Sequence, residues 1–170
     1  DQLGHNVLAQ VRRRALQRQL SRLPGVRHID VTRHFEKETL YWTKAASVLG
    51  LPQVRLLRSE VPIERGRARR DLVGLLEDNL GGDWNGKTDE DLVFGGWKAL
   101  CAHYAPVFVE KSPHHLYQWS ALTLILECMR RMSHVEFLLV GLVRNPMDSL
   151  YSSWKRFNIV PEKAQYEWLS

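Results

Sequence analysis

Two apolar runs in the second half of the chain each pass straight into a helical pattern, with only a short polar turn between them. Pro106 to Val109 is followed by Glu110-Lys111-Ser112-Pro113. The apolar residues Leu116, Trp119, Leu122, Leu126 and Met129 then recur at helical spacing. Phe137 to Val143 is followed by Arg144-Asn145-Pro146 and a helical pattern reaching about Phe157. A strand that feeds a helix must return to the sheet by a crossover, so its neighbours lie parallel to it. The expected class is therefore α/β, a parallel sheet with crossover helices.

The first half fits the same class. Asn6 can cap a helix in which Val7, Leu8, Val11, Ala15, Leu16, Leu20 and Leu23 keep helical spacing until Pro24-Gly25 stops it. Val26 to Val31 reads as a short strand. Thr39 to Leu49 reads as a helix that buries Trp42, Ala45, Val48 and Leu49, ended by Gly50. Glu64 to Leu80 becomes helical through Leu72, Leu75, Leu76 and Leu80 and leads into a loop from Gly81 to Asp91. With 170 residues, 44% of them hydrophobic, the chain reads as a single domain over 1–170.

No run approaches the roughly 18 to 20 uncharged apolar residues of a membrane span, and the arginine-rich start lacks a signal peptide's apolar stretch. The expectation is no membrane segment and a cytoplasmic location. Cys101 and Cys128 stand far apart without metal-ligand spacing, so neither a disulfide scaffold nor a metal site is expected. A net charge of +5 allows a polyanionic partner, but the arginines are scattered and no nucleic-acid motif occurs. A nucleic-acid-binding domain is thus the weakest of the functional readings.

In the first strand-to-helix turn Ser112 can cap with Pro113 at the first helical position, and in the second Asn145 and Pro146 take the same roles. Lys111 and Arg144 immediately precede the caps. Helix N-termini at the carboxyl edge of a parallel sheet bind anions, so the two turns together suggest a phosphate or sulfate site. The competing reading is that each cation faces solvent or pairs with a carboxylate such as Glu110 or Asp148.

Leu142-Val143-Arg144-Asn145-Pro146, continuing to Leu150-Tyr151-Ser152, resembles the 3'-phosphate-binding segment of sulfotransferases that use 3'-phosphoadenosine 5'-phosphosulfate (PAPS). In that family an arginine ends a strand and a serine follows eight positions later, the spacing of Arg144 and Ser152. Glu110-Lys111-Ser112-Pro113 resembles the EKSP or EKTP segment of heparan-sulfate-type and related bacterial sulfotransferases. Lys37-Glu38-Thr39-Leu40-Tyr41-Trp42 resembles their KExHFF segment, which supplies the catalytic glutamate. The three segments occur in the family's order over roughly His28 to Phe157.

The resemblance implies a P-loop-NTPase-like sulfotransferase fold with PAPS as cosubstrate. The acceptor would bear a hydroxyl or amine, a glycan among the candidates. It implies Glu38 as base, Lys111 as a cation near the reacting sulfonate, and Arg144 with Ser152 as the grip on the 3'-phosphate. Two departures accompany it. The family's first strand and 5'-phosphosulfate loop have no counterpart before the first helix, because the chain opens at Asp1 with Asp-Gln-Leu-Gly-His-Asn. The expected domain is therefore a partial one, and a catalytically silent anion- or glycan-binding remnant is the alternative. The KExHFF histidine is replaced by Leu40, so an imidazole reaches the site only if His114 or His115 approaches from the neighbouring turn; His114 is the candidate taken. Residue by residue the plain readings stay open: Glu38 as an ordinary first-turn carboxylate, Ser152 as an exposed helix serine, the two histidines facing solvent.

Gly81-Gly82-Asp83-Trp84-Asn85-Gly86-Lys87-Thr88 satisfies G-x-x-x-x-G-K-[ST] letter for letter. A phosphate-binding loop needs a buried strand before it, whereas a charged helical stretch precedes this one and Asp89, Glu90 and Asp91 follow. A surface loop is expected.

Overall fold

The computed structural model describes residues 19, 20, 22–32, 38–55, 59–141, 145–158 and 160. It is a mixed α/β structure with a two-stranded parallel sheet. Its chain separates into two compact units, residues 19–136 and residues 1–18 with 137–170.

In the larger unit, β1 (Val26–His28) pairs in parallel with β2 (Val107–Val109), in the register Val26 to Val107, Arg27 to Phe108 and His28 to Val109. Between them come α1 (Tyr41–Val48), α2 (Arg65–Leu80), a single π-helical turn (Asp91–Gly95) and α3 (Gly96–His103). A 3-10 turn (Pro113–Tyr117) and α4 (Trp119–Arg131) follow β2. The crossover between the parallel strands is thus helical, as the sequence implies.

Helix α1 is the centre of this unit, and all eight of its residues are buried. Such a helix needs apolar neighbours on every side. α2 supplies Ala68, Leu72, Val73, Leu75 and Leu76, spaced to form one face, and α4 supplies Ala121, Leu124 and Cys128. Each fully buried leucine side chain contributes about 1.5–3 kcal/mol. An aromatic cluster links the helices to the sheet. Trp97 lies 4.9 Å from both Tyr41 and Trp42, and 5.3 Å from Phe108, whose ring stacks on Tyr104. The Tyr41 hydroxyl donates to the carbonyl of Val93 at 2.7 Å, a carbonyl of the π-helical turn. Gly96 makes that approach possible, since a Cβ there would lie 2.6 Å from Leu76 Cδ1 and 2.9 Å from Tyr41 Oη.

α2 starts where the sequence indicates. The Glu64 carboxylate accepts from Gly66 N and Arg67 N, each at 2.6 Å, and these bonds hold its pKa below the ordinary value. The loop after α2 has no strand leading into it, as expected. Arg69 organises that loop by donating to the carbonyls of Asn85 and Lys87, both at 2.7 Å, and to Asp89 Oδ1 at 2.5 Å. A phosphate cradle turns amide N–H groups inward, whereas this loop turns two carbonyls toward a cation.

Three elements of the larger unit differ from the sequence expectations. β1 ends at His28 rather than Val31, because the backbone amide of Val31 is taken by Asn79 Oδ1 on α2 at 3.0 Å. The first helix of α1's segment begins at Tyr41 rather than Thr39. The helix expected directly after Ser112 is a 3-10 turn followed by a separate α4, and Ser112 makes no cap to it. The reason is Gln118, whose fully buried side chain exchanges two 2.8 Å hydrogen bonds with the Val54 backbone and fixes an extended residue between the two helical pieces.

In the smaller unit, 137–141 form no strand, although Phe137 to Val143 has a strand's composition; Leu138, Leu139 and Val140 are exposed. A strand exists only through its ladder, and these residues have none. Helix α5 (Pro146–Phe157) has the expected cap, with Met147 N donating to Asn145 Oδ1 at 2.9 Å. The N-terminal helix expected from Asn6 falls largely outside the described residues; Gln19 and Leu20 are helical. Among the described residues no helix is long and apolar enough to cross a membrane.

Candidate functional site

The segment after β2 folds back on the start of α1, and nearly every polar group of the two segments is used. Glu38 is 3% exposed. Lys111 Nζ donates to its Oε1 at 2.5 Å, and His114 Nδ1 lies 3.6 Å from its Oε2. Burial disfavours the ionised carboxyl, but the side chains of His114 and Lys111 outweigh it, and the Glu38 pKa lies below the ordinary carboxylate value. Thr32 Oγ1 donates to the Glu38 carbonyl at 3.1 Å, which ties the residue to the loop leaving β1.

A second layer lies behind this one. Glu110 Oε1 accepts from Thr39 Oγ1 at 2.6 Å and from the Ser112 hydroxyl. Ser112 Oγ in turn accepts from Leu40 N at 3.1 Å. Tyr41 N donates to Thr39 Oγ1 at 3.1 Å, and Trp42 N donates to His115 Nε2 at 3.2 Å. The first turn of α1 is thus capped by three side chains, two of them from the segment after β2. This is needed because its own N-cap residue, Leu40, has no polar side chain. Leu40 also sits in the left-handed region, at φ 51° and ψ 31°. That conformation costs a non-glycine residue about 1–2 kcal/mol, and here the caps on either side hold it in place.

Of the residues singled out in the sequence, Glu38, Lys111 and His114 come together. Lys111 is paired with a carboxylate, but the partner is Glu38 rather than Glu110. Ser152 lies half-buried on α5, and Arg144 lies outside the described residues. His114 is the imidazole beside this glutamate. Sequence reasoning missed the roles of Glu110, Thr39 and His115. The paired histidines were the available signal, since one of two adjacent side chains on a 3-10 turn can face the core while its neighbour faces the site.

The geometry separates rival chemistries. Ser112 and His115 do not form a nucleophile and base, because His115 Nε2 is occupied by the Trp42 amide. Among the described residues no group of three or more His, Cys, Asp or Glu is placed to hold a metal ion. What remains is an ionised, nearly buried carboxylate with a cation on one oxygen and an imidazole near the other. Such a carboxylate can accept a proton, while the neighbouring ammonium stabilises oxygen charge developing beside it. In comparisons with known proteins, no family model, no curated protein and no solved structure matches the chain.

Proposed function

We propose that the chain carries the body of a PAPS-dependent sulfotransferase domain, which moves a sulfuryl group from PAPS to a hydroxyl or amino group of an acceptor such as a saccharide. The observation that carries this reading is the convergence of Glu38, Lys111 and His114. Glu38 and Lys111 come from two segments whose sequences resemble segments of the family, and His114 directly follows the second of them. In the reaction the acceptor oxygen or nitrogen forms a bond to sulfur as the bond from sulfur to the phosphate oxygen breaks. Glu38 takes the acceptor's proton, and adenosine 3',5'-bisphosphate leaves with the bonding pair. Lys111 offsets charge on the transferring and leaving oxygens, in the manner of positioned cations in phosphoryl transfer. Arg144 and Ser152 are the proposed contacts to the 3'-phosphate, and a P-loop-NTPase-like fold is the proposed frame.

One observation favours a second reading, a catalytically silent anion- or glycan-binding domain: against the effect of burial, the side chains of His114 and Lys111 hold the Glu38 pKa below the ordinary value, which makes it a weaker base. A transfer assay with PAPS and a panel of hydroxyl and amine acceptors separates the two. Sulfated product that disappears in Glu38→Gln supports the enzyme. Binding of adenosine 3',5'-bisphosphate without product supports the silent domain, and neither binding nor product removes both.

A further inference from the structure

His115 is 6% exposed, lies behind the candidate site and takes no part in the proposed chemistry. A ring nitrogen that accepts an N–H bond carries no proton, so the bond from Trp42 N to Nε2 places the His115 proton on Nδ1. Nδ1 lies 3.8 Å from Glu110 Oε2. We infer that His115 is an acid-labile clamp on the first turn of α1, just after Glu38: when neutral, its Nε2 holds the Trp42 amide, and when protonated it becomes a donor facing a donor and releases it.

Three features of the site support this. The clamp closes across two segments, so losing it removes one of the bonds that tie the start of α1 to the turn bearing Lys111 and His114. The N-terminus of a helix carries the positive end of its dipole, which opposes a second positive charge at Nε2. The charged and titratable groups facing the ring are Glu110, His114 and Glu38; the carboxylates favour its protonation and a charged His114 opposes it. Burial outweighs the carboxylates and places the folded pKa below the ordinary value of 6.5. The sign follows. The unfolded chain takes up this proton first, so the stability contributed by neutral His115 is fully present above about pH 6.5. It is lost as the pH falls from there toward the folded pKa. The inference does not depend on which reaction the site performs.

The test is urea unfolding of the whole chain, followed by tryptophan fluorescence between pH 8 and pH 5. Wild type is compared with His115→Gln, whose side-chain oxygen can accept the Trp42 amide at every pH, and with His115→Leu, which cannot accept it. Below about pH 6.5 the wild-type folding equilibrium constant should fall by up to about tenfold per pH unit more steeply than that of His115→Gln. His115→Leu should already be less stable than His115→Gln at pH 8. A Gln variant with the wild-type slope, or a Leu variant as stable as the Gln variant at pH 8, overturns the clamp. Should the Gln variant not fold, nuclear magnetic resonance of the wild-type His115 ring decides. The clamp requires the Nδ1–H tautomer, a midpoint below 6.5 and a Trp42 amide shift that moves with the same midpoint; an Nε2–H tautomer or a higher midpoint overturns it.

Discussion

Glu38 Oε2 and His114 Nδ1 face each other at 3.6 Å, both out of contact with solvent and neither hydrogen-bonded among the described residues. Buried polar atoms are rarely left this way, because each forgoes about 1–3 kcal/mol. The gap lies on the side of the carboxylate that Lys111 does not cover. Under the proposed function Oε2 is the oxygen that takes the acceptor's proton, and His114 must move aside to admit the acceptor.

Glu38→Gln should lower sulfuryl transfer by about 10²- to 10⁴-fold, the usual contribution of a general base. Calorimetric affinity for adenosine 3',5'-bisphosphate should stay close to wild type, since a base and not a nucleotide contact is removed. Equal losses in binding and turnover would mark Glu38 as a structural carboxylate.

The same substitution has a signature in acid. The folded pKa of Glu38 is depressed, so its ionised form adds stability above about pH 4.5 that is lost as the pH falls through the folded pKa. Glu38→Gln should therefore flatten the acid limb of stability below about pH 4.5, measured by urea midpoints. It should leave the region between pH 5 and 6.5 to His115.

Arg144→Ala should weaken binding of adenosine 3',5'-bisphosphate by about 10- to 150-fold, the equivalent of about 1.5–3 kcal/mol for hydrogen bonds to a charged group. Binding of adenosine 5'-phosphate should change much less. Titration of both ligands, with circular dichroism as a control for folding, checks it, and equal weakening for the two removes selective 3'-phosphate recognition by Arg144.

Gly96→Ala should destabilise the larger unit by about 1–3 kcal/mol, because the added methyl meets Leu76 and the Tyr41 hydroxyl at 2.6 Å and 2.9 Å. A urea midpoint shift reads this directly. A variant as stable as wild type would mean that Tyr41 leaves the π-helical turn without cost.

Lys87→Ala should leave both stability and any nucleotide affinity unchanged, since the loop is held by Arg69 through the carbonyls of Asn85 and Lys87 rather than by the lysine side chain. Loss of ATP binding on this substitution would restore the loop as a phosphate cradle.

Local signals in the sequence were readable wherever one segment settles its own structure. The apolar spacing of Leu72, Leu75, Leu76 and Leu80 placed α2, and Asn145-Pro146 placed the start of α5. The order of Glu38 and Lys111 in family-like segments placed them together before any geometry was known. What stayed hidden depends on distant partners. Ser112 has the sequence context of a cap for the helix after it, yet its hydroxyl serves the helix before it. The apolar run from Phe137 to Val143 has the composition of a strand, but pairing decides whether one forms. Nothing local to His115 states that its ring receives an amide from Trp42.

The contacts that define the site join residues 71 to 73 positions apart. Arg27 and Phe108 are paired across a comparable stretch. Chain closure over such distances is entropically costly and comes late in the folding of a small domain. The carboxylate, its cation and its imidazole therefore assemble in the same event that zips the two strands, not before it. During refolding, recovery of site chemistry should coincide with the global transition, and proteolytic fragments ending between α1 and β2 should retain none of it.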